Sequence, residues 1–268
     1  MKALLAATLI VATAYVADAL PVDSTQQVQT GKHVVAEQLS DNAAYVTVIP
    51  HESELNALQA ARATGQGTVY YLKGNGKRDY TIHTTKGTYT LDPNNAFTEE
   101  GIRKDIQEKH GKMDKKTVQE IIASAKTVSA DLEGKIFDGR PILALHQDSQ
   151  GGYGINSYLN DPYFSQFAED VYVNEKQDPD DFAYVTDRTF FEGFKRQGIN
   201  VILQKNEACP DDGSLSYVAA QRGIPYVNIE VESGKSTKQT EMVRAFNALL
   251  QDNLAAQEKT FTEVFVNR

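Results

Sequence analysis

Short apolar runs that alternate with amphipathic segments constrain the fold of this chain more than any other feature of its sequence. The run 141–145 (PILAL) is continuous and of strand length, as expected for a strand buried on both faces. The runs 46–49, 182–186 and 200–204 repeat this pattern, and apolar residues recur at helical spacing over 115–132. This alternation predicts an α/β fold, a three-layer sandwich around a mixed, largely parallel central sheet.

The other predicted elements complete the same alternation. Further strands are expected at 68–73, 80–83, 88–91, 155–159 and 224–232. Further helices are expected at 53–63, 99–109, 187–197, 214–222 and 237–257, and Gly134 is expected to end the helix that starts at residue 115.

The N-terminus has the features of a secretory signal peptide. Met1-Lys2 precedes an apolar run over 3–17, and Ala17-Asp18-Ala19 is a small-x-small cleavage signal. We expect a signal peptide over 1–19, cleavage near Ala19, and a secreted or periplasmic product. The polar stretch 20–31 is expected to be a flexible tail, and 32–268 to be one domain.

Composition limits the partners and the sources of stability. Cys209 is the single cysteine, so no intramolecular disulfide can form and an ordinary hydrophobic core must stabilise the fold. The net charge of −9 makes nucleic acid and anionic membranes poor partners. The oligomeric state stays open.

The segment around His51 contains a candidate pair of metal ligands. A β-branched run ends at Pro50, and His51 and Glu54 follow in a strand-to-helix turn. An imidazole and a carboxylate three residues apart can face one point, and Zn²⁺ accepts both nitrogen and oxygen ligands. The alternative is that His51 is a polar loop residue and that Glu54 offsets a helix dipole.

Three later segments extend this pattern. They are Asp92-Pro93-Asn94-Asn95-Ala96-Phe97, then Ala144-Leu145-His146, then the strand Tyr226-Val227-Asn228-Ile229-Glu230-Val231-Glu232. His146 follows an apolar run, and ligands of α/β proteins gather at the carboxyl ends of such strands. In this order the segments resemble the zinc carboxypeptidase (M14-like) superfamily, in particular secreted or periplasmic bacterial members.

The resemblance implies one zinc ion per chain, held by His51, Glu54 and His146. It also implies that Asn94 contacts the substrate and that a late glutamate, Glu230 or its rival Glu232, is the general base. Asn95 stands where the superfamily has a carboxylate-binding Arg, and a neutral amide cannot supply a charge-assisted fork.

Another arginine can take over that role only if it reaches the site from elsewhere in the fold. Arg78, Arg140 and Arg188 are the candidates, and Arg140 is the first because it directly precedes the strand that carries His146. For Asn94 the alternative is a turn, since the sequence DPNN favours turns by itself.

The function implied is an exported zinc-dependent hydrolase that cleaves an amide bond by means of metal-activated water. Its substrate would be a peptide, a cell-wall peptide or an acylated amino acid. One alternative is a zinc amidase of the muramoyl-alanine type, although the glycine-rich segment usual in that family is missing before Glu52. The other is a catalytically degenerate binding protein, which Asn95 favours.

Overall fold

The computed structural model describes residues 27–41, 43–64, 66–149, 151 and 153–266. The strands are β1 (Gln27–Thr30), β2 (Val34–Gln38), β3 (Val46–Ile49), β4 (Thr68–Leu72), β5 (Tyr80–Thr84), β6 (Gly87–Leu91), β7 (Ile142–Asp148), β8 (Ala168–Tyr172), β9 (Phe182–Val185), β10 (Val201–Gln204) and β11 (Tyr226–Glu232). The helices are α1 (Leu55–Thr64), α2 (Glu99–His110), α3 (Lys115–Ile136), α4 (Ile155–Asn160), α5 (Pro162–Ser165), α6 (Arg188–Arg196), α7 (Leu215–Gln221) and α8 (Ser236–Val266).

Nine of these strands form one sheet in the order β1-β2-β4-β3-β7-β11-β9-β10-β8, while β5 and β6 form a separate hairpin. The neighbours β4, β3, β7 and β11 run parallel, as do β9 and β10. The other four neighbouring pairs are antiparallel. The predicted α/β fold with a mixed sheet is therefore confirmed, and adjacent parallel strands form its centre.

Helices cover both faces of the sheet. On one face α1, α6 and α8 bury Phe194 and Phe246 against Leu143 of β7. On the other face α2, α3 and α7 pack with the hairpin, where Ile121 and Leu132 surround Ala144 of the same strand. The continuous apolar run in β7 thus faces helices on both sides, and the three-layer sandwich is confirmed.

Several boundaries differ from the predictions. The helix α3 continues two residues beyond Gly134, which therefore does not end it. The stretch 155–159 is not a strand but lies in α4, where Ile155 and Tyr158 are buried at helical spacing. The strand β2 was not predicted because Glu37 interrupts its apolar pattern. Glu37 is buried, and both of its carboxylate oxygens accept hydrogen bonds from Arg62 of α1 at 2.7 Å.

The predicted signal peptide, residues 1–19, lies outside the described residues. Part of the expected tail, Gln27–Thr30, forms β1 and pairs antiparallel with β2. Among the described helices, none combines the length and the hydropathy that a membrane span requires.

Candidate metal centre

The turn between β3 and α1 brings His51 and Glu54 together. The backbone N–H of Glu54 donates to the carbonyl of His51 at 3.0 Å, so α1 starts at Leu55 and not at the predicted Ser53. His51 Nδ1 lies 2.9 Å from Glu54 Oε1, and both side chains are buried. The HxxE segment is therefore a compact turn at the carboxyl end of a central strand.

His146 reaches the same point from the neighbouring strand. Because β3 and β7 are parallel, their carboxyl ends meet at one edge of the sheet. β7 continues to Asp148, so His146 lies inside the strand and not just after it. His146 Nδ1 lies 3.3 Å from Glu54 Oε1, and the ligating atoms of His51, Glu54 and His146 all lie within 4.8 Å of one another.

These three residues fit a zinc ion by their chemistry. Two imidazole nitrogens and one carboxylate oxygen are a typical protein ligand set for a zinc site that keeps a fourth position open. Glu54 Oε2 is buried and has no hydrogen-bond partner among the described residues, so a cation at this point would satisfy it.

The pKa values at this point reflect mutual attraction between the buried groups. Burial alone would lower the pKa of His51, but its bonds to Asp92 and Glu54 raise it to about 9. Burial alone would raise the pKa of Glu54, but His146 and His51 lower it to about 2. The site therefore favours the ionised carboxylate of Glu54 beside the protonated imidazole of His51.

Asp92 is a site residue that the sequence analysis treated only as part of a turn. Its Oδ1 accepts from His51 Nε2 at 2.9 Å, on the opposite side of the ring from Glu54. It also accepts from the backbone N–H of Asn94 at 2.9 Å and so starts the short 3₁₀ turn Pro93–Asn95. A carboxylate at the strand end after buried Leu91 was the available signal.

Arg78 lies at the mouth of the site. Its Nε is 3.3 Å from Asp92 Oδ2, its Nη1 is 3.8 Å from Glu54 Oε1, and 54% of its side chain is exposed. The loop before it is fixed by Glu52, whose Oε2 accepts from the backbone N–H groups of Gly74 and Gly76 at 2.7 and 3.1 Å. Arg78 is thus a guanidinium available to ligands beside the histidines.

Arg140, the first candidate for the missing arginine, is not at the site. It precedes the amino end of β7, whereas His146 lies near the carboxyl end. Its guanidinium binds Asp138 and the carbonyl of Ala43. Arg188 is likewise engaged elsewhere, with Glu169 and Asp170. The length of β7 therefore separates Arg140 from the cleft, and the predicted contact of Arg140 with substrate has no support among the described contacts.

Asn94 and Asn95 both line the cleft, but in different states. Asn95 Nδ2 donates to Asp105 Oδ1 at 3.1 Å, so its amide is held by the protein. The Asn94 side chain has no hydrogen bond to the described residues, while its backbone belongs to the 3₁₀ turn. The turn alternative for DPNN is therefore correct for the backbone, and a substrate contact by the Asn94 side chain stays a prediction.

Glu230 faces the histidines, and Glu232 does not. Glu230 is opposite His146 in the register of β11 and β7, is buried and lines the cleft. Burial raises its pKa, although the hydrogen bond from Asn228 at 3.0 Å opposes the shift. Glu232 forms an ion pair with Lys235 at the end of the strand and is not among the lining residues.

The cleft has a volume of about 670 Å³ and two chemically different sides. The histidine side carries Glu54, His146, Arg78 and Glu230. The aromatic side carries tyrosine and phenylalanine rings together with one carboxylate, and its members are Tyr153, Tyr158, Tyr163, Phe164, Phe167, Tyr184, Tyr226 and Asp212. A substrate bound at the histidines would therefore extend over aromatic rings.

The solved structures that resemble this chain include two distant likenesses. No protein-family model and no curated protein matches the sequence. A succinylglutamate desuccinylase from Chromobacterium violaceum is similar at 14% identity and a TM-score of 0.42, over 81% of this chain and 66% of that chain. PbaA from Pyrococcus furiosus, an archaeal homolog of proteasome-assembly chaperone, is similar at 8% identity and a TM-score of 0.35, over 84% and 94%. This chain thus spans just under two thirds of the desuccinylase.

Proposed function

We propose that this protein is a zinc-dependent hydrolase that cleaves an amide bond. The observation that carries the proposal is the convergence of His51, Glu54 and His146 within 4.8 Å at the edge of the sheet, with the buried carboxylate of Glu230 beside His146. Ligand set and candidate base thus come from three adjacent parts of one sheet edge. The substrate class is a peptide, a cell-wall peptide or an acylated amino acid.

His51, Glu54 and His146 would hold the zinc. When bound, zinc supplies Lewis acidity, which polarises a carbonyl group and makes water acidic enough to react near neutral pH. The protein keeps the ligands in place through their other atoms. Asp92 accepts from the second nitrogen of His51, and Gln239 Nε2 donates to the carbonyl of His146 at 2.8 Å.

Glu230 would move the proton. Asn228 holds its Oε1, while its Oε2 has no donor among the described residues and can take the proton of the attacking water. The same atom would then return the proton to the nitrogen of the leaving amine. Burial raises the pKa of Glu230, which suits a group that both accepts and releases a proton.

Arg78 would bind a carboxylate of the substrate. It is the one arginine among the residues that line the cleft, and its side chain is half exposed beside the candidate ligands. A guanidinium matches a carboxylate with two parallel hydrogen bonds. Arg78 would therefore supply the positive charge that Asn95 does not provide.

The proposal is tested by removing the metal, restoring zinc and measuring hydrolytic activity at each step. The protein is stripped with a chelator, reloaded with zinc, and assayed against N-acyl amino acids, dipeptides and cell-wall peptides. We expect hydrolysis of at least one class that disappears with the chelator, returns with zinc, and is absent in Glu230→Gln.

Two other outcomes would contradict the proposal. Zinc binding without hydrolysis of any of these substrates would favour a binding protein that keeps the site, as Asn95 suggests. Cleavage that chelators do not affect would exclude the metal. Export stays a separate proposal from the leader sequence, tested by the N-terminal residue of the protein recovered from outside the producing cells.

A further inference from the structure

The aromatic side of the cleft is a cluster of packed rings in which Tyr158 and Tyr184 are buried. Tyr158 lies 5.5 Å from Tyr184 and 5.6 Å from Phe164, measured between ring centroids. Phe164 in turn lies 5.3 Å from Tyr163, whose ring is 58% exposed. Tyr163 therefore offers an exposed aromatic ring to a ligand bound in the cleft.

Asp212 lies within this surface, in the loop before α7. Its Oδ1 accepts from the backbone N–H of Ser214 at 2.9 Å. Among the described residues, no lysine, arginine or histidine nitrogen lies within 4.0 Å of its carboxylate, although it lines the cleft. It lines the same cleft as Tyr158 and Tyr163, whose pKa values are raised mainly by burial and further by the charge of Asp212.

We propose that the aromatic side of the cleft binds a positively charged group of the substrate, an ammonium or a guanidinium, with Asp212 as its counter-ion. The proposal names the substrate class for the function proposed above and rests on it. It adds a second recognition point to Arg78, with the opposite charge.

The balance of charge and desolvation favours a cation over a neutral apolar group. An apolar group over these rings would remove water from Asp212 and leave its carboxylate without a partner, which is costly. A cation offsets that cost through the carboxylate and also gains from the negative ring face of the exposed Tyr163. Burial raises the pKa of Asp212, although hydrogen bonds from Ser214 oppose the shift, so a cationic partner would stabilise the charged form.

The rest of the cleft points to the same preference. Its lining carries the carboxylates of Glu54, Asp148, Asp212 and Glu230 against a single guanidinium, that of Arg78. Both carboxylate oxygens of Asp148 are buried without a hydrogen-bond partner among the described residues. Zinc at the histidines would offset the charges of Glu54 and Glu230. The carboxylates of Asp148 and Asp212 would then remain to attract a cationic substrate.

Binding of two matched probes to the full chain tests the proposal without depending on turnover. The probes are N-acetyl-lysine methylamide and N-acetyl-norleucine methylamide, which differ by the ammonium group and have side chains of similar reach. Calorimetry or ligand-observed NMR should show at least about tenfold tighter binding of the lysine probe, the worth of one desolvated cation–π and carboxylate contact. N-acetyl-arginine methylamide should follow the lysine probe.

The variants assign this preference to Asp212. Asp212→Asn keeps an oxygen for the N–H of Ser214 and should bind both probes equally. Asp211→Asn is the matched control, because Asp211 binds Thr98 and Gly213 outside the cleft lining and should keep the preference. Tyr163→Leu removes an exposed ring, so it should fold normally and weaken the lysine probe several-fold.

Equal binding of the two probes by the wild-type protein, or no binding of either, would overturn the proposal. A lysine preference that survives Asp212→Asn in a folded variant would overturn the role of Asp212. If the lysine probe binds selectively but no substrate is hydrolysed with zinc, the proposed function fails, and the aromatic side stands as a binding site for a cationic ligand without the hydrolytic role.

Discussion

The two sides of the cleft differ in how their charged groups are satisfied. On the histidine side His51 bridges Glu54 and Asp92 at 2.9 Å each, and Arg78 lies within 4.0 Å of both carboxylates. On the aromatic side Asp212 has no cationic partner among the described residues, and its neighbours are tyrosines with raised pKa values. The histidine side is therefore a network of paired charges, whereas the aromatic side holds one carboxylate among aromatic rings.

This difference separates two kinds of requirement. A metal site must hold its ligands rigidly, so each ligand is positioned by a second contact, as Asp92 positions His51. A substrate subsite must leave its charged group available to the ligand. Asp212 accepts a hydrogen bond from the backbone N–H of Ser214 through Oδ1, and its other carboxylate oxygen stays available to a ligand in the cleft. We expect changes to the metal ligands, to Asp92 and to Glu230 to affect metal binding and turnover, and changes to Asp212 or Arg78, which offer charge to the substrate, to affect selectivity.

The largest expected effect is on turnover, from Glu230→Gln. The amide keeps the size of the side chain but cannot accept the proton, so turnover should fall by about two to four orders of magnitude while zinc stays bound. Glu232→Gln is the matched control and should have a small effect, because Glu232 pairs with Lys235 away from the cleft lining. Steady-state rates and zinc content of both variants check this, and the reverse result would assign the base to Glu232.

Asp92→Asn should weaken zinc binding by about ten- to a hundredfold, the usual worth of a carboxylate that orients a histidine ligand. The neutral amide carries no negative charge to stabilise the N–H of His51 Nε2. Its NH₂ group would also face the guanidinium of Arg78, which cannot accept a hydrogen bond. Competition with a fluorescent zinc chelator measures the change. Unaltered zinc affinity would mean that Asp92 serves only the Pro93–Asn95 turn.

Gly101→Ala should disturb the aromatic side without reaching the metal. A Cβ on Gly101 would lie 2.2 Å from the Cα of Gly213 and 2.6 Å from the carbonyl oxygen of Asn95, so the loop that carries Asp212 would have to move. We expect a loss of about 1–3 kcal/mol in the free energy of unfolding, as for other overpacked sites.

Gly134→Ala is the control for that substitution, because Gly134 lies in α3 with open space around its Cβ position. It should stabilise the protein by about 0.5–1 kcal/mol. Chemical denaturation measures both variants. Equal stability of Gly101→Ala and Gly134→Ala would show that the loop before α7 can move without a loss in the free energy of unfolding.

Arg78→Gln should have the smallest effect and should alter selectivity. Substrates with a free carboxylate should lose about tenfold in kcat/KM, the worth of one charge-assisted pair at a half-exposed site, while the matching amides should be unaffected. Arg103→Gln, on the exposed face of α2, is the control. An equal loss for acids and amides would mean that Arg78 acts on the zinc ligands and not on the substrate.

Local pattern was sufficient for the central elements of the fold. β7 and α3 were predicted from apolar runs and helical spacing because packing on both faces of the sheet requires those patterns. β2 was not, since the partner of buried Glu37 is Arg62, a contact between residues distant in sequence. The run 155–159 is short, so its apolar residues fit strand and helix alike.

The candidate site followed the same rule. His51, Glu54 and His146 stood out because they follow short apolar runs, and that position is visible in the sequence. The arginine of the cleft could not be identified in this way. Arg78 comes from a loop held by Glu52, whereas Arg140 is nearer to His146 in sequence but lies at the other end of β7. Which loop covers a strand end is decided by tertiary packing.

Zinc content is the most direct test of the central claim, that His51, Glu54 and His146 form one metal site. The purified protein is loaded with zinc, dialysed and measured by mass spectrometry, next to His146→Ala and His83→Ala, the latter removing an exposed histidine of the hairpin. We expect about one zinc per chain in the wild-type protein and in His83→Ala, and almost none in His146→Ala. A wild-type protein without zinc, or an unchanged content in His146→Ala, would contradict it.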